Sequence, residues 1–266
     1  MSYSLTWLPK VLLDAGLKVA ECPGWANSGR AEMGSVEGVL LHHTATTINS
    51  GNMPSLNTII HGRAGANALT GPLAQLGLGR DGTYYIIAEG RCNHAGPGIW
   101  KGISAGNSHF IGIEAENRGD GKEPWPIIQQ DAYARGVAAI LKHINKGAEY
   151  CAGHKEYRLP KGAKNDPNFD MDEFRDKVRQ ILNGDSPPKF IPKAEPMGLF
   201  RSTLRRGIAN DSPLVKSMQQ KLKIEIDGFF GIHTETSVRA FQREQGLVPD
   251  GIVGPKTWKL IDDATV

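Results

Sequence analysis

Apolar residues along the first 185 positions switch between two spacings, and that switching sets the fold class. Leu5 to Val19 carries them at helical intervals, and so does Ile127 to Ile144, a long stretch rich in alanine and aliphatic side chains. Val39-Leu-Leu-His42 is a short unbroken apolar run of the kind that fills a buried strand, and Phe110-Ile-Gly-Ile-Glu-Ala-Glu116 predicts another. Thr83 to Ala88 follows an Asp81-Gly82 pair, which predicts a turn feeding a strand. Asp170 with Glu173 three residues later forms a capping box, opening a helix that bears Phe174, Val178 and Ile181. Strands interleaved with helices predict an α/β domain built on a central mixed β-sheet flanked by helices.

The pattern breaks near residue 184. Asn183 to Gly198 holds four prolines and two glycines with no apolar period, and reads as a semi-rigid linker. Beyond it, displacing the chain by 23 positions lays Val215, Gln219, Asp227, Gly228, Gly231 and Thr234 on Val238, Gln242, Asp250, Gly251, Gly254 and Thr257, with Met218 on Phe241. Each unit reads as an amphipathic helix, an Asp-Gly turn, two apolar residues, a second glycine and a threonine that opens the next helix. Asp211-Ser-Pro213 opens the first helix in the same way. The expected organisation is a domain over 1–184 with its motifs in about 30–182, a linker over 185–197, and a small bundle of about three helices over 198–266.

Composition narrows the class. Hydrophobic residues at 39% and charged residues at 22% suit a soluble globular protein, and no apolar run approaches the roughly 20 residues of a membrane span, so membrane insertion is not expected. The start lacks a basic segment followed by an apolar stretch, so no secretory signal is read; the expectation is synthesis in the cytoplasm and release by another protein's pore. Cys22, Cys92 and Cys151 are widely spread, which predicts three free thiols. From residue 186 onward twelve Lys/Arg face nine Asp/Glu, which accounts for the whole net charge of +3; the tail module would be the part drawn to an anionic surface, though so small a charge reads more plainly as an ordinary solvated face. No basic cluster carries interleaved aromatics, so nucleic acid is not indicated. A monomer is expected.

Two segments gather side chains suited to metal chemistry: Leu41-His42-His43-Thr44, and Gly153-His154 through Lys164-Asn165-Asp166-Pro167. A catalytic zinc takes three N, O or S ligands and keeps a fourth position open, which His42, His154 and Asp166 would satisfy. Taken singly each has a plainer reading, since a histidine ending a strand commonly makes a structural hydrogen bond and an aspartate before proline commonly forms a turn.

Two family resemblances bear on that choice. The doubled Asp-Gly-x-x-Gly-x-x-Thr pattern at 227–234 and 250–257 resembles the peptidoglycan-binding domain at the ends of bacterial and phage wall hydrolases. The ordered segments Leu-Leu-His-His-Thr-Ala at 40–45, Asn-His-Ala-Gly at 93–96, Ile-Gly-Ile-Glu at 111–114 and Gly-His to Asp-Pro at 153–167 resemble the zinc amidase domain shared by phage endolysins, cell-wall amidases and peptidoglycan-recognition proteins. The resemblance implies one catalytic zinc held by His42, His154 and Asp166. It prefers His42 over His43, which in an extended strand would face the other way. It implies Glu114 as acid/base, with Glu116 on the same strand face, and Lys164 as the cation near the attacked carbonyl. It sets His94, with Asn93 and Trp100, along the substrate groove.

The activity so implied is hydrolysis of the amide between N-acetylmuramic acid and L-alanine of peptidoglycan, with a phage endolysin as the expected setting. The alternatives are a non-catalytic recognition protein and a zinc peptidase cutting within the stem peptide. Two departures from the family pattern stand out. His154 and Asp166 are 12 positions apart, a longer loop in which Lys161 competes with Lys164. Ala66 to Gln75 stands where relatives often show a Ser-x-His pair, which leaves the substrate contacts open.

Overall fold

The computed structural model describes residues 5–47, 51–65, 67–185, 203–207, 210 and 212–264. The chain divides into two compact units, Met1–Ile191 and Pro192–Val266. From residue 186 onward the predicted linker lies outside the described residues, as do Ala66 and the predicted helix opener Asp211.

The first unit contains strands β1 (Lys18–Glu21), β2 (Gly38–His43), β3 (Gly62–Arg63), β4 (Leu69–Thr70), β5 (Leu76–Leu78), β6 (Thr83–Ile86), β7 (Phe110–Ala115) and β8 (Cys151–Gly153). Its helices are α1 (Leu8–Asp14), α2 (Leu56–His61), α3 (Gly106–His109), α4 (Ile127–His143), α5 (His154–Tyr157) and α6 (Met171–Asn183). Six strands form one sheet in the order β1-β6-β5-β7-β2-β8, antiparallel only between β5 and β6, while β3 and β4 pair as a separate hairpin. The mixed sheet flanked by helices is the architecture the pattern predicts. Strand β2 is buried along its whole length, which is why its sequence reads as a continuous apolar run and not as an alternation.

The period of two then sorts side chains between the faces. Val39, Leu41, Ile111 and Ile113 enter the main core with Leu8 and Leu12 of α1, Val137 and Leu141 of α4, and Phe174 and Val178 of α6. Leu40 and Phe110 face the other way and pack with Ala95, Ala152 and Tyr157. Helix α6 opens on Asp170, whose carboxylate accepts the backbone N–H groups of Asp172 and Glu173 at 2.8 and 2.9 Å.

Leu5 to Val19 is not one helix. Helix α1 stops at Asp14 and Val19 lies in β1, because Gly16 takes a positive φ of 71° and turns the chain back toward the sheet. Strands β5 and β8, three residues each, escape prediction because so short a segment shows no period.

The second unit contains α7 (Ser212–Lys221), α8 (Ile232–Glu244) and α9 (Pro255–Asp263), packed on Leu204, Val215, Met218, Phe230, Val238, Val253, Trp258 and Ile261. The 23-residue repeat is a repeated hydrogen-bond network. Buried Gln219 donates to Asp227 Oδ1 (2.6 Å), to the Phe229 carbonyl (3.1 Å) and to Thr234 Oγ1 (3.1 Å), and accepts from the Gly228 N–H (2.9 Å). Gln242 repeats this with Asp250 (2.8 Å), Ile252 (3.0 Å), Thr257 (3.2 Å) and Gly251 (2.9 Å). Gly228 and Gly251 both sit at φ +74°, as the Asp-Gly turn requires. The threonines do not open the helices as predicted. Gly231 and Gly254 hold the N-cap positions, and each threonine sits inside the first turn, its hydroxyl donating to the Phe229 or Ile252 carbonyl.

Candidate metal centre and its cleft

The site is assembled at the ends of three adjacent strands. Strands β2 and β7 run parallel with His42 directly opposite Glu114, and β8 pairs with β2 so that Gly153 lies beside Leu41 and delivers His154 next to His42. The end of β2 is pinned from the core side by Tyr133 of α4. Its hydroxyl accepts the His42 N–H at 3.2 Å and lies 3.1 Å from the carbonyl oxygens of His42 and Ile113. His43 points to the opposite face, toward Trp125. The start of α5 is clamped by Glu156, which accepts the Gly153 N–H at 2.8 Å and two guanidinium nitrogens of buried Arg175 at 2.9 Å. The Asp166 carbonyl accepts the Lys155 N–H at 2.8 Å, which brings the loop aspartate back to the same place.

His42 Nδ1, His154 Nδ1 and Asp166 Oδ2 form a small triangle with sides of 3.0, 3.0 and 3.1 Å, all three residues being buried. The surrounding hydrogen bonds decide which nitrogens carry protons. His154 Nε2 lies 3.0 Å from the Ala95 carbonyl, which can only accept, so Nε2 is protonated and Nδ1 of the neutral ring is bare. His94 Nε2 lies 3.2 Å from the Phe110 carbonyl, so it too donates there, and His94 Nδ1 is left as the acceptor facing His42 Nε2 at 3.2 Å. His42 therefore donates from Nε2 and its Nδ1 is also bare. Burial holds His94 well below the ordinary imidazole range, and burial together with the neighbouring His154 pushes His42 down to about 4, which keeps both rings neutral.

With the outward nitrogens donating elsewhere, two imidazole lone pairs and a carboxylate oxygen converge, an arrangement that a bound cation satisfies. The separations are close to the roughly 3.3 Å expected between ligands of a tetrahedral ion with bonds of about 2.05 Å. This is the one group of His, Cys, Asp or Glu residues among the described residues whose ligand atoms all lie within 4.8 Å of one another. The donor set fits zinc.

A cleft of about 350 Å³ opens over the triangle. Glu114 lines it, with Oε2 buried and without a hydrogen-bond partner. Burial raises its carboxyl well above the ordinary range, the Asp166 charge adding to this and Lys164 opposing it. Glu116 is committed elsewhere. Its carboxylate accepts from Thr44 Oγ1 and from the N–H and hydroxyl of Ser55. Of the two competing lysines, Lys164 lines the cleft, while Lys161 Nζ bonds the Glu156 carbonyl.

Asn93 and His94 both line the cleft, with the His94 and Ala95 N–H groups held by Asn107 Oδ1 at 2.9 and 2.8 Å. Trp100 is not among the lining residues. Its indole N–H donates to the Glu149 carbonyl at 2.9 Å and its ring lies under the Arg175 guanidinium, so its apolar surface and its donor are both used in packing. The cleft also presents Arg63 and Arg158, which the sequence patterns did not single out. Arg63 lies outside the ordered segments, and Arg158 lies within the 153–167 segment but had no role assigned to it. Cys22, Cys92 and Cys151 are buried and unpaired. No helix among the described residues is long and apolar enough to cross a membrane.

The sequence model of the N-acetylmuramoyl-L-alanine amidase family matches residues 32–169, and that of a peptidoglycan binding domain matches residues 211–261. Among curated proteins, an uncharacterized protein in the bpoA1 3' region of Kitasatospora aureofaciens is 53% identical over 38 residues, which is 14% of this chain; the match spans 32% of that protein's length. Among solved structures, the chain is similar to the N-acetylmuramyl-L-alanine amidase AmiD of E. coli (17% identity, TM-score 0.43, 88% of this chain and 90% of that one). It is also similar to the endolysin amidase LysCS of Clostridium intestinale (19% identity, TM-score 0.41, 60% and 95%).

Proposed function

The chain belongs to the N-acetylmuramoyl-L-alanine amidase family, and from that membership we propose that it hydrolyses the amide joining the lactyl group of N-acetylmuramic acid to L-alanine in peptidoglycan. The observation that carries the reading is the convergence of His42 Nδ1, His154 Nδ1 and Asp166 Oδ2 with their protons turned outward. These three would hold a zinc ion. Bound there, zinc supplies Lewis acidity, polarising a carbonyl and lowering the pKa of water from about 16 to about 7.

The remaining steps belong to the chain's own side chains. Glu114 takes the proton released by the attacking water and returns it to the alanine nitrogen as the amide bond breaks. Its burial raises its affinity for that proton, which suits the second task. Lys164 sets positive charge beside the carbonyl oxygen as negative charge develops there. Through its bond to His42, His94 holds that ligand in the required tautomer.

The second unit, matched as a peptidoglycan binding domain, tethers the enzyme to its polymeric substrate, and it carries most of the chain's small excess of positive charge. A catalytic unit joined to a wall-binding one supports a lytic role of the endolysin type. The enzyme would then be made in the cytoplasm and act at the wall after release through another protein's pore, as a monomer.

Product analysis on purified wall tests the reaction: amidase action exposes the amino group of the first alanine, whereas a new amine inside the stem peptide would overturn it. Asp166→Asn, measured beside the wild type, should lose both zinc and activity. Zinc absent from the wild type as well would remove the site.

A further inference from the structure

Residues 66–75 depart from the family pattern, and the element flanking the cleft on that side is the β3–β4 hairpin. In this antiparallel pair Arg63 is directly opposite Leu69, so their side chains share one face, and both line the cleft that holds Glu114 and Lys164. The hairpin is seated tightly. Gly62 has φ +93°, and a Cβ there would lie 2.2 Å from the Leu69 carbonyl oxygen; one at Gly71 would lie 2.3 Å from that of Ile60. Asn93 donates from its side chain to the Thr70 carbonyl at 2.8 Å, tying β4 to the segment that carries His94. Leu69 packs against the cluster of Ile59 and Leu73.

Arg63 has none of these ties. It is exposed at the rim, and among the described residues its guanidinium has no hydrogen bond or ion pair. A fixed strand presenting an unpaired guanidinium to a substrate cleft is suited to two-pronged recognition of a carboxylate, a geometry that lysine does not reproduce. The opposed leucine offers an alkyl contact beside it. Peptidoglycan stem peptides carry such a carboxylate wherever glutamate is linked onward through its side chain.

We propose that Arg63 is a specificity-determining residue of this enzyme, binding a free carboxylate on the stem residue after L-alanine, with Leu69 packing against the adjoining alkyl chain. The proposal rests on the amidase reading above. It is tested with two muramoyl-L-alanyl-glutamate compounds that differ only in having a free α-carboxylate or a carboxamide.

The wild type should favour the carboxylate by about tenfold in kcat/KM, expressed in KM, as expected for a charge-assisted contact at a partly solvated rim. Arg63→Gln should bring the ratio of the two kcat/KM values to about one, and Arg63→Lys should recover part of it. Equal use of both compounds by the wild type overturns the proposal, and so does a loss in Arg63→Gln that falls equally on both or resides in kcat. Calorimetric binding of the same pair to the zinc-loaded protein separates the two readings. Carboxylate preference in binding that vanishes in Arg63→Gln, with no cleavage of either compound, would sink the reaction and support the contact; cleavage of both without preference does the reverse.

Discussion

Replacing His94 by alanine should weaken zinc binding although His94 is not among the three converging ligands. His94 Nδ1 is the acceptor of the His42 Nε2 proton at 3.2 Å, and the two residues are 8% and 1% exposed, so water has little access to replace it. Without it, either a buried N–H is left unsatisfied, at about 1–3 kcal/mol, or His42 moves its proton to Nδ1 and the metal must displace it. Both routes act on the same ligand. The expected loss is about 10- to 100-fold in affinity, the range for removing a partner that orients a metal ligand, or about 1.4–2.8 kcal/mol. The assay is titration of zinc into stripped protein against a chromophoric chelator, with circular dichroism to verify the fold. His94→Asn should recover part of the loss, because the amide oxygen of an asparagine can stand near the former Nδ1 and accept the same proton. Gly112→Ala gives an independent check, because its Cβ would lie 2.7 Å from His94 Cγ and displace the ring without touching its chemistry. Affinity within twofold of the wild type in His94→Ala would refute the claim that this bond sets the state of His42.

Glu114→Gln should lower kcat by about 10²- to 10⁴-fold with zinc content unchanged; activity within a few-fold of wild type would remove Glu114 from the chemistry. Because burial raises this carboxyl in the folded protein, the folded state binds the extra proton and stability falls as pH rises from the unfolded value of about 4.3. In the zinc-free protein Glu114→Gln should therefore melt higher than wild type at pH 7, with the gap closing toward pH 4; a lower melting point at pH 7 contradicts the burial argument. In the second unit, Gln219→Ala and Gln242→Ala each strand a turn's polar groups and should cost about 1–3 kcal/mol by similar amounts, read from chemical unfolding of that unit in the full chain. A cost near zero for either would mean that the glutamine does not hold its Asp-Gly turn.

Much of this protein is legible along the chain because it depends on neighbours in sequence. The helix at Ile127–His143, the Asp170 cap, the burial of Val39-Leu-Leu-His42 and the 23-residue repeat follow from periodicity and local backbone chemistry alone. The three metal-binding residues were also within reach, since each sits in its own short segment, although only the family resemblance tied them to one another.

The tertiary structure decided what depends on approach between distant segments. Lys164 and not Lys161 enters the cleft because Lys161 is bonded to the Glu156 carbonyl, and Trp100 is withdrawn by Glu149 and Arg175. The state of His42 is set by His94, 52 positions away, and through it by the Phe110 carbonyl. Arg63 meets the cleft only because two glycines let the β3–β4 hairpin close against its neighbours. Periodicity reports which face a side chain takes on its own element; the proton positions and free charges of a site arise from contacts across the fold, and no local pattern encodes them.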